Sequence, residues 1–178
     1  MKIITTYPKG TRTHTKRGVT LLELLIYIAA LSGIMVIVSD SFISLAKARG
    51  QSVARSEVNA AVRFAGERIG QDIKNASDIT TPLLGIPSPT LTMTVGGVAV
   101  TYDSSAGQLR RSEGLNSPDL VTGTNVYINT PVFTRLENYN PAFNATTTSI
   151  AVSLNFNYNA SSTDWKYSAG YQTTFGLR

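Results

Sequence analysis

Val19 to Val38 is a run of 20 residues in which Glu23 is the only charged side chain. At about 1.5 Å of rise per residue, a helix of that length matches the roughly 30 Å hydrocarbon core of a bilayer. Inside lipid every backbone N–H and C=O needs a partner within the segment, and for a single run of this kind only a helix supplies one. The run therefore predicts a membrane-spanning helix over 19–38. The helical pattern does not stop there. No proline occurs between Ser39 and Asp78, and Val58, Val62, Ala65, Ile69 and Ile73 recur at spacings of three and four, a single apolar stripe. Arg55, Arg63, Glu67, Arg68 and Lys74 fall mostly off the stripe. The pattern predicts an amphipathic helix over 39–79 that continues the span into a globular domain and packs on a sheet. The segment "TTPLLGIPSP", Thr80 to Pro89, ends it with three prolines.

Beyond Pro89 the period changes from helical to alternating. Leu91, Met93 and Val95 share one face of a strand, Gly96 and Gly97 form a tight hairpin turn, and Val98 to Tyr102 is the returning strand. Asp103 to Gly107 reads as a second turn leading into Gln108 to Ser112. Thr124 to Asn138 holds one strand or two, interrupted by Pro131. Thr147 to Asn159 alternates for thirteen residues, with Ile150, Val152, Leu154, Phe156 and Tyr158 on one side. Trp165 to Arg178 is its final partner. The expectation is an α+β fold: a long amino-terminal helix, apolar in its first half and amphipathic in its second, packed on a mostly antiparallel sheet of four to seven strands in a β-rich head over 80–178.

Charge is unevenly placed. The chain carries 16 Lys and Arg against 11 Asp and Glu, but Lys2, Lys9, Arg12, Lys16 and Arg17 all precede the apolar run, where there is no acid. From Val19 onward positive and negative charges balance, which removes the argument for nucleic acid as a partner. Five cations before the span, with only Lys47 and Arg49 offset by Asp40 soon after it, predict a cytoplasmic amino terminus and an outward-facing head. A secretory signal peptide is the competing reading. Its apolar region is usually about 7 to 15 residues, and neither "ALSG" nor "VSDS" makes a good cleavage site. Cysteine is absent and the one histidine, His14, lies ahead of the span. Thiolate chemistry, disulfides, His-based triads and His-ligated zinc are thereby excluded from the head. No phosphate loop, paired catalytic carboxylates or metal triad is present, so neither an enzymatic activity nor a cofactor is expected.

Glu23 is the anomaly. An ionised carboxylate costs about 2.5 to 3.5 kcal/mol at the middle of a span and less near its end. One turn into a helix it also benefits from the amino-terminal dipole, so its position by itself leaves a structural and a functional reading open. The surrounding residues narrow the choice. "KRG" followed by "VTLLELL", Lys16 to Leu25, resembles the class III leader junction of type IV prepilins and pseudopilins: a basic leader ending in glycine, then an apolar residue, Thr, two aliphatics and Glu. The resemblance implies a leader over 1–18, with Lys16 and Arg17 as its basic residues, removed by a membrane-embedded prepilin peptidase between Gly18 and Val19. Val19 would become the N-methylated first residue, and Glu23 the family's fifth-position acid, used in filament assembly. A free ammonium at Val19 then offers the buried carboxylate an opposite charge, in its own chain or in a neighbour.

"AGERIGQDIKNASDI" from Ala65, "VTYDSSAGQLRR" from Val100 and "YQTTFGLR" from Tyr171 are similar to the helix, hairpin and closing strand of J-type pseudopilins of type II secretion and of W-type minor pilins. Val19 stands where the family usually has Phe, and Asp40 where major pilins commonly carry a helix-bending proline. Together with the lack of cysteine, these departures point to a minor subunit. The resemblance thus implies a pilin-like fold and a subunit of a type IV pilus, type II secretion pseudopilus or competence filament. Its implied partners are the prepilin peptidase, sister pilins and an inner-membrane assembly platform. The alternative is a single-pass anchored binding module that never polymerises.

Three other groups invite a chemical reading. Glu67, Asp72 and Asp78 form an acidic cluster, but without the ligand spacing of a calcium loop they read as a solvated helix face. Arg110 and Arg111, adjacent on a strand, point to opposite faces and read as edge residues or partners of nearby acids. Trp165, Tyr167 and Tyr171 read as packing aromatics rather than as an exposed contact surface.

Overall fold

A computed structural model describes residues 18–142 and 144–177. Thr20 starts the long helix. Its Oγ1 accepts a hydrogen bond from the Glu23 backbone N–H at 3.2 Å, as an N-capping threonine does. From there α1 runs unbroken over Leu21–Asn75. Ser32, Ser39 and Ser41 lie within or just past the apolar run, and each donates its hydroxyl to the carbonyl four residues earlier, at 2.7, 2.8 and 2.9 Å. Their polar groups are thus satisfied inside the helix, which makes them compatible with lipid.

The chain divides into two compact units, one ending at Ile43 and the other beginning at Ser44. In the first, the large apolar side chains from Val19 to Ile43 are all exposed. α1 is long and apolar enough there to cross a membrane.

In the second unit α1 buries one stripe: Ala54, Val58, Ala61, Ala65, Ile69 and Ile73. The expected stripe is recovered, with Val62 half-buried at its margin. Nine strands are seen among the described residues, in two sheets rather than one. The first sheet is an antiparallel meander of β1 (Ala76–Thr81), β2 (Leu91–Val95), β3 (Val98–Ser105), β4 (Gln108–Glu113) and β5 (Asp119–Leu120). β1 corrects the predicted helix end, because α1 stops at Asn75 and the chain passes directly into a strand. Two-residue turns join β2 to β3 at Gly96 and Gly97, φ 58° and 82°, and β3 to β4 at Ala106 and Gly107, φ 52° and 75°. Positive φ at both central residues matches the twist of paired strands. The second turn is tighter than Asp103 to Gly107, and Asp103 instead pairs with Arg110 across the strands.

In the second sheet the central strand is β8 (Ala145–Tyr158). β9 (Ser168–Gly176) pairs along one edge, and β7 (Val132–Asn140) and β6 (Val126–Ile128) lie end to end along the other. Pro131 falls between β6 and β7, as expected of a residue without a backbone donor. Ile150, Val152, Leu154 and Phe156 of β8 are buried, and so join Met93, Tyr102 and Leu109 of the first sheet and the α1 stripe in one core.

Two glycines let α1 approach β9 closely. A Cβ added at Gly66 would lie 2.5 Å from the Tyr171 hydroxyl oxygen, and one at Gly70 2.5 Å from Phe175 Cε1. The indole of Trp165, which closes a short 3-10 turn (Thr163–Trp165), lies against Gly50 in the same way, and Arg55 sits 5.7 Å above the Tyr167 ring. The predicted packing role of these aromatics therefore holds, with the helix as their partner.

Candidate functional site

Gly18, Val19 and Thr20 precede the first helical turn, exposed and outside regular structure. A Cβ at Gly18 would meet no atom within 4 Å, and Val19 is 65% exposed. Among the described residues, the Gly18–Val19 peptide is thus exposed and outside regular structure, just before a helix start. Lys16 and Arg17, with the rest of the expected leader, lie outside the described residues.

Glu23 occupies the third helical position, where the unpaired N–H groups of the first turn concentrate partial positive charge. Its backbone N–H is taken by Thr20, and its Oε1 accepts a hydrogen bond from the Tyr27 hydroxyl at 3.3 Å. Tyr27 was not picked out from sequence. Its signal was the four-residue spacing from Glu23, which stacks the two side chains on one helix face. A carboxylate has room for more donors than one phenol, so the site can accept a further cation.

The other polar constellation is buried. Asp72 on α1 is 5% exposed and Arg111 on β4 is 7% exposed. Asp72 Oδ2 accepts hydrogen bonds from Arg111 Nε at 2.7 Å and from the Tyr102 hydroxyl at 2.6 Å, while Arg111 also donates to Glu113 Oε2 at 2.7 Å. This corrects the reading of Asp72 as part of a solvated acidic face: Glu67 and Asp78 are exposed as expected, but Asp72 is not. Arg110 and Arg111 do point to opposite sides and do find acids. Arg110 reaches Asp103 through two bonds of 2.9 Å.

Burial, reinforced by the hydrogen bond to Asp72, pushes the Tyr102 phenol far above its ordinary value. Burial alone would lower the Arg111 guanidinium, but its bonds to Asp72 and Glu113 outweigh that and raise it. The network is a chain of mutually bonded polar groups from Tyr102 through Asp72 and Arg111 to Glu113. It ties α1 to the first sheet, and among the described residues no group of acids is placed to hold a metal ion.

The tyrosine has a measurable consequence. In the unfolded chain Tyr102 ionises near pH 10, whereas in the fold it stays neutral. A raised folded value means that its contribution is complete below about pH 10 and declines as pH rises further. Stability in urea should therefore fall between about pH 10 and about pH 11, and Tyr102→Phe should flatten that fall. An equal slope in the variant would assign the alkaline loss to other groups.

Comparison with protein-family models, characterised proteins and solved structures found no match.

Proposed function

We propose that the chain is a minor pilin or pseudopilin, a structural subunit of a type IV pilus-like filament. One observation carries the reading: a basic glycine-ended junction, Lys16-Arg17-Gly18, followed by Val19-Thr20-Leu21-Leu22-Glu23, where a capped apolar helix begins. The exposure of Gly18 and Val19, outside regular structure, supports it, because a peptidase needs an unfolded segment at the scissile bond. Hydrolysis there leaves a new ammonium at Val19, which the prepilin peptidase also methylates. The subunit waits in the cytoplasmic membrane with its amino terminus inside and its head outside. It is then drawn by the assembly platform into a filament whose core is built from α1, from Val19 to about Ala54. Glu23 sets axial register by meeting the Val19 ammonium of a neighbour, and the β-rich head faces outward.

A second reading rests on the Tyr27 bond to Glu23. An acid with a partner in its own chain suits a single-pass anchor for a binding module that never polymerises. Co-expression with a prepilin peptidase separates the two. The mass should fall by the 18 residues ending at Gly18, and a Gly18→Ala chain should keep its full length. An intact amino terminus in the parent chain would rule out the pilin reading.

A further inference from the structure

β9 leaves one edge open. The Tyr158 N–H donates to Tyr167 O at 2.8 Å and the Leu177 N–H to Thr148 O at 2.9 Å, and the register between them opposes Leu154 to Tyr171 and Ile150 to Phe175. The odd-numbered residues of β9 therefore exchange backbone hydrogen bonds with β8. Antiparallel alternation turns the N–H and C=O of Ser168, Gly170, Gln172, Thr174 and Gly176 the other way. Among the described residues no strand pairs with that edge, and all five are exposed. Natural sheets usually blunt such an edge with a charge, a proline or a bulge. Ser168–Gly176 has no charge and no proline, and its pairing with β8 is continuous.

Beside this edge lies a groove of about 390 Å³ between α1 and β9. Gly66, Gly70 and Gln71 form its helical wall, and Tyr171 and Phe175 its strand wall. Glu67 and Lys74 also line it, and both are exposed. Because Gly66 meets Tyr171 and Gly70 meets Phe175, α1 and β9 run in the same direction. Glu67 therefore stands toward the start of β9 and Lys74 toward its end.

We propose that this groove and the open β9 edge form a docking site for an extended peptide segment of a partner protein, which adds as a strand beyond β9. Five outward donor and acceptor pairs call for main-chain partners, which an extended peptide supplies and a small molecule does not. The charges set polarity. A segment antiparallel to β9 passes Lys74 first and Glu67 second, about 10 Å apart along the helix, or roughly three strand residues. Its sequence carries an acid followed two to four residues later by a base, between small or β-branched residues. A second copy of this chain fits less well, since β9 (Ser168–Gly176) has neither the acid nor the base that Lys74 and Glu67 call for.

The test uses the full chain in detergent micelles and a synthetic peptide of about nine alternating Thr and Val residues. One position near its start is Asp and one about four residues later is Lys; a twin peptide has the two charges exchanged. In the free chain the outward amides of Gly170, Gln172 and Thr174 should exchange with deuterium faster than those of Tyr171 and Thr173. Added peptide should slow the outward set at least about tenfold. Gln172→Pro removes one outward donor and leaves the backbone ladder to β8, losing there only a 3.4 Å side-chain bond to Ser153, and should weaken binding about tenfold. Exchanging the helix charges, Glu67→Lys with Lys74→Glu, should transfer the preference to the twin. Three results would overturn the proposal: no added protection at about 1 mM peptide, equal binding by the Gln172→Pro chain, or outward amides already protected in a dimer of this chain.

Discussion

Asp72→Ala is expected to destabilise the head by about 3 kcal/mol, the lower end of the cost of breaking a buried ion pair from one side. The substitution strands Arg111 in a site where both original side chains are 8% exposed, and it also removes the acceptor of the Tyr102 hydroxyl. Glu113 keeps one guanidinium nitrogen at 2.7 Å, which limits the loss, but its own side chain is 47% exposed and cannot replace a partner inside the core. The pair should be worth much less than that cost. Buried ions surrender hydration that their mutual attraction only partly returns, so replacing the whole set by apolar groups of similar size is often neutral or stabilising. The combined variant Asp72→Leu, Arg111→Met, Tyr102→Phe should therefore recover most of the stability lost in Asp72→Ala. Urea unfolding of the full chain in detergent, followed by near-ultraviolet circular dichroism, measures both. A single-variant loss below about 1 kcal/mol would mean that water reaches the network and screens it.

Glu23→Ala carries the largest expected effect on function. Membrane insertion should be unchanged or slightly improved, because removing a carboxylate makes the span more apolar. If the chain is the filament subunit proposed above, incorporation into sheared filaments should be lost, because the Val19 ammonium left by cleavage would no longer find an opposite charge in the apolar core. The ammonium is the group that suffers: an unpaired charge in low dielectric is costly, whereas the paired one is tolerated. Tyr27→Phe is the informative companion. It removes the Tyr27 hydrogen bond to the Glu23 carboxylate while keeping the charge, so it should leave incorporation largely intact. Immunodetection of the subunit in the sheared and membrane fractions reads both variants. Normal incorporation of Glu23→Ala would remove the register role, and loss in Tyr27→Phe alone would make the acid an internal feature of the helix.

What could be read in advance followed from covalent geometry. The 3.6-residue period of Val58, Ala65, Ile69 and Ile73 and the two-residue period of β8 are local properties of a helix and a strand. The Gly96–Gly97 turn is local too. Where the local signal fails, the reason is visible. β1 escaped notice because it is irregular: shifts between Ala76 and Asp78, and again between Ile79 and Thr81, leave Ala76 and Ile79 as its buried residues, three apart instead of two. β5 is two exposed residues with no apolar pattern to read.

Gly18, Val19 and Glu23 stand out in the sequence as a contiguous string of residue types beside an apolar run, and the junction and register role read from them belong to the proposed function. Their partner is not in that string. By itself, then, the sequence determined the apolar helix, its amphipathic continuation, the alternating strands and the residues at the helix start, since each depends on neighbours a few positions away. Only the tertiary structure decided that Asp72 leaves the solvated face to meet Arg111, 39 residues on, that the strands divide between two sheets, and that β9 has an edge beside α1 that is unpaired among the described residues. Such outcomes depend on which surfaces pack together. An aspartate on a helix has the same local chemistry whether water or an arginine waits across from it, and folding brings the arginine there.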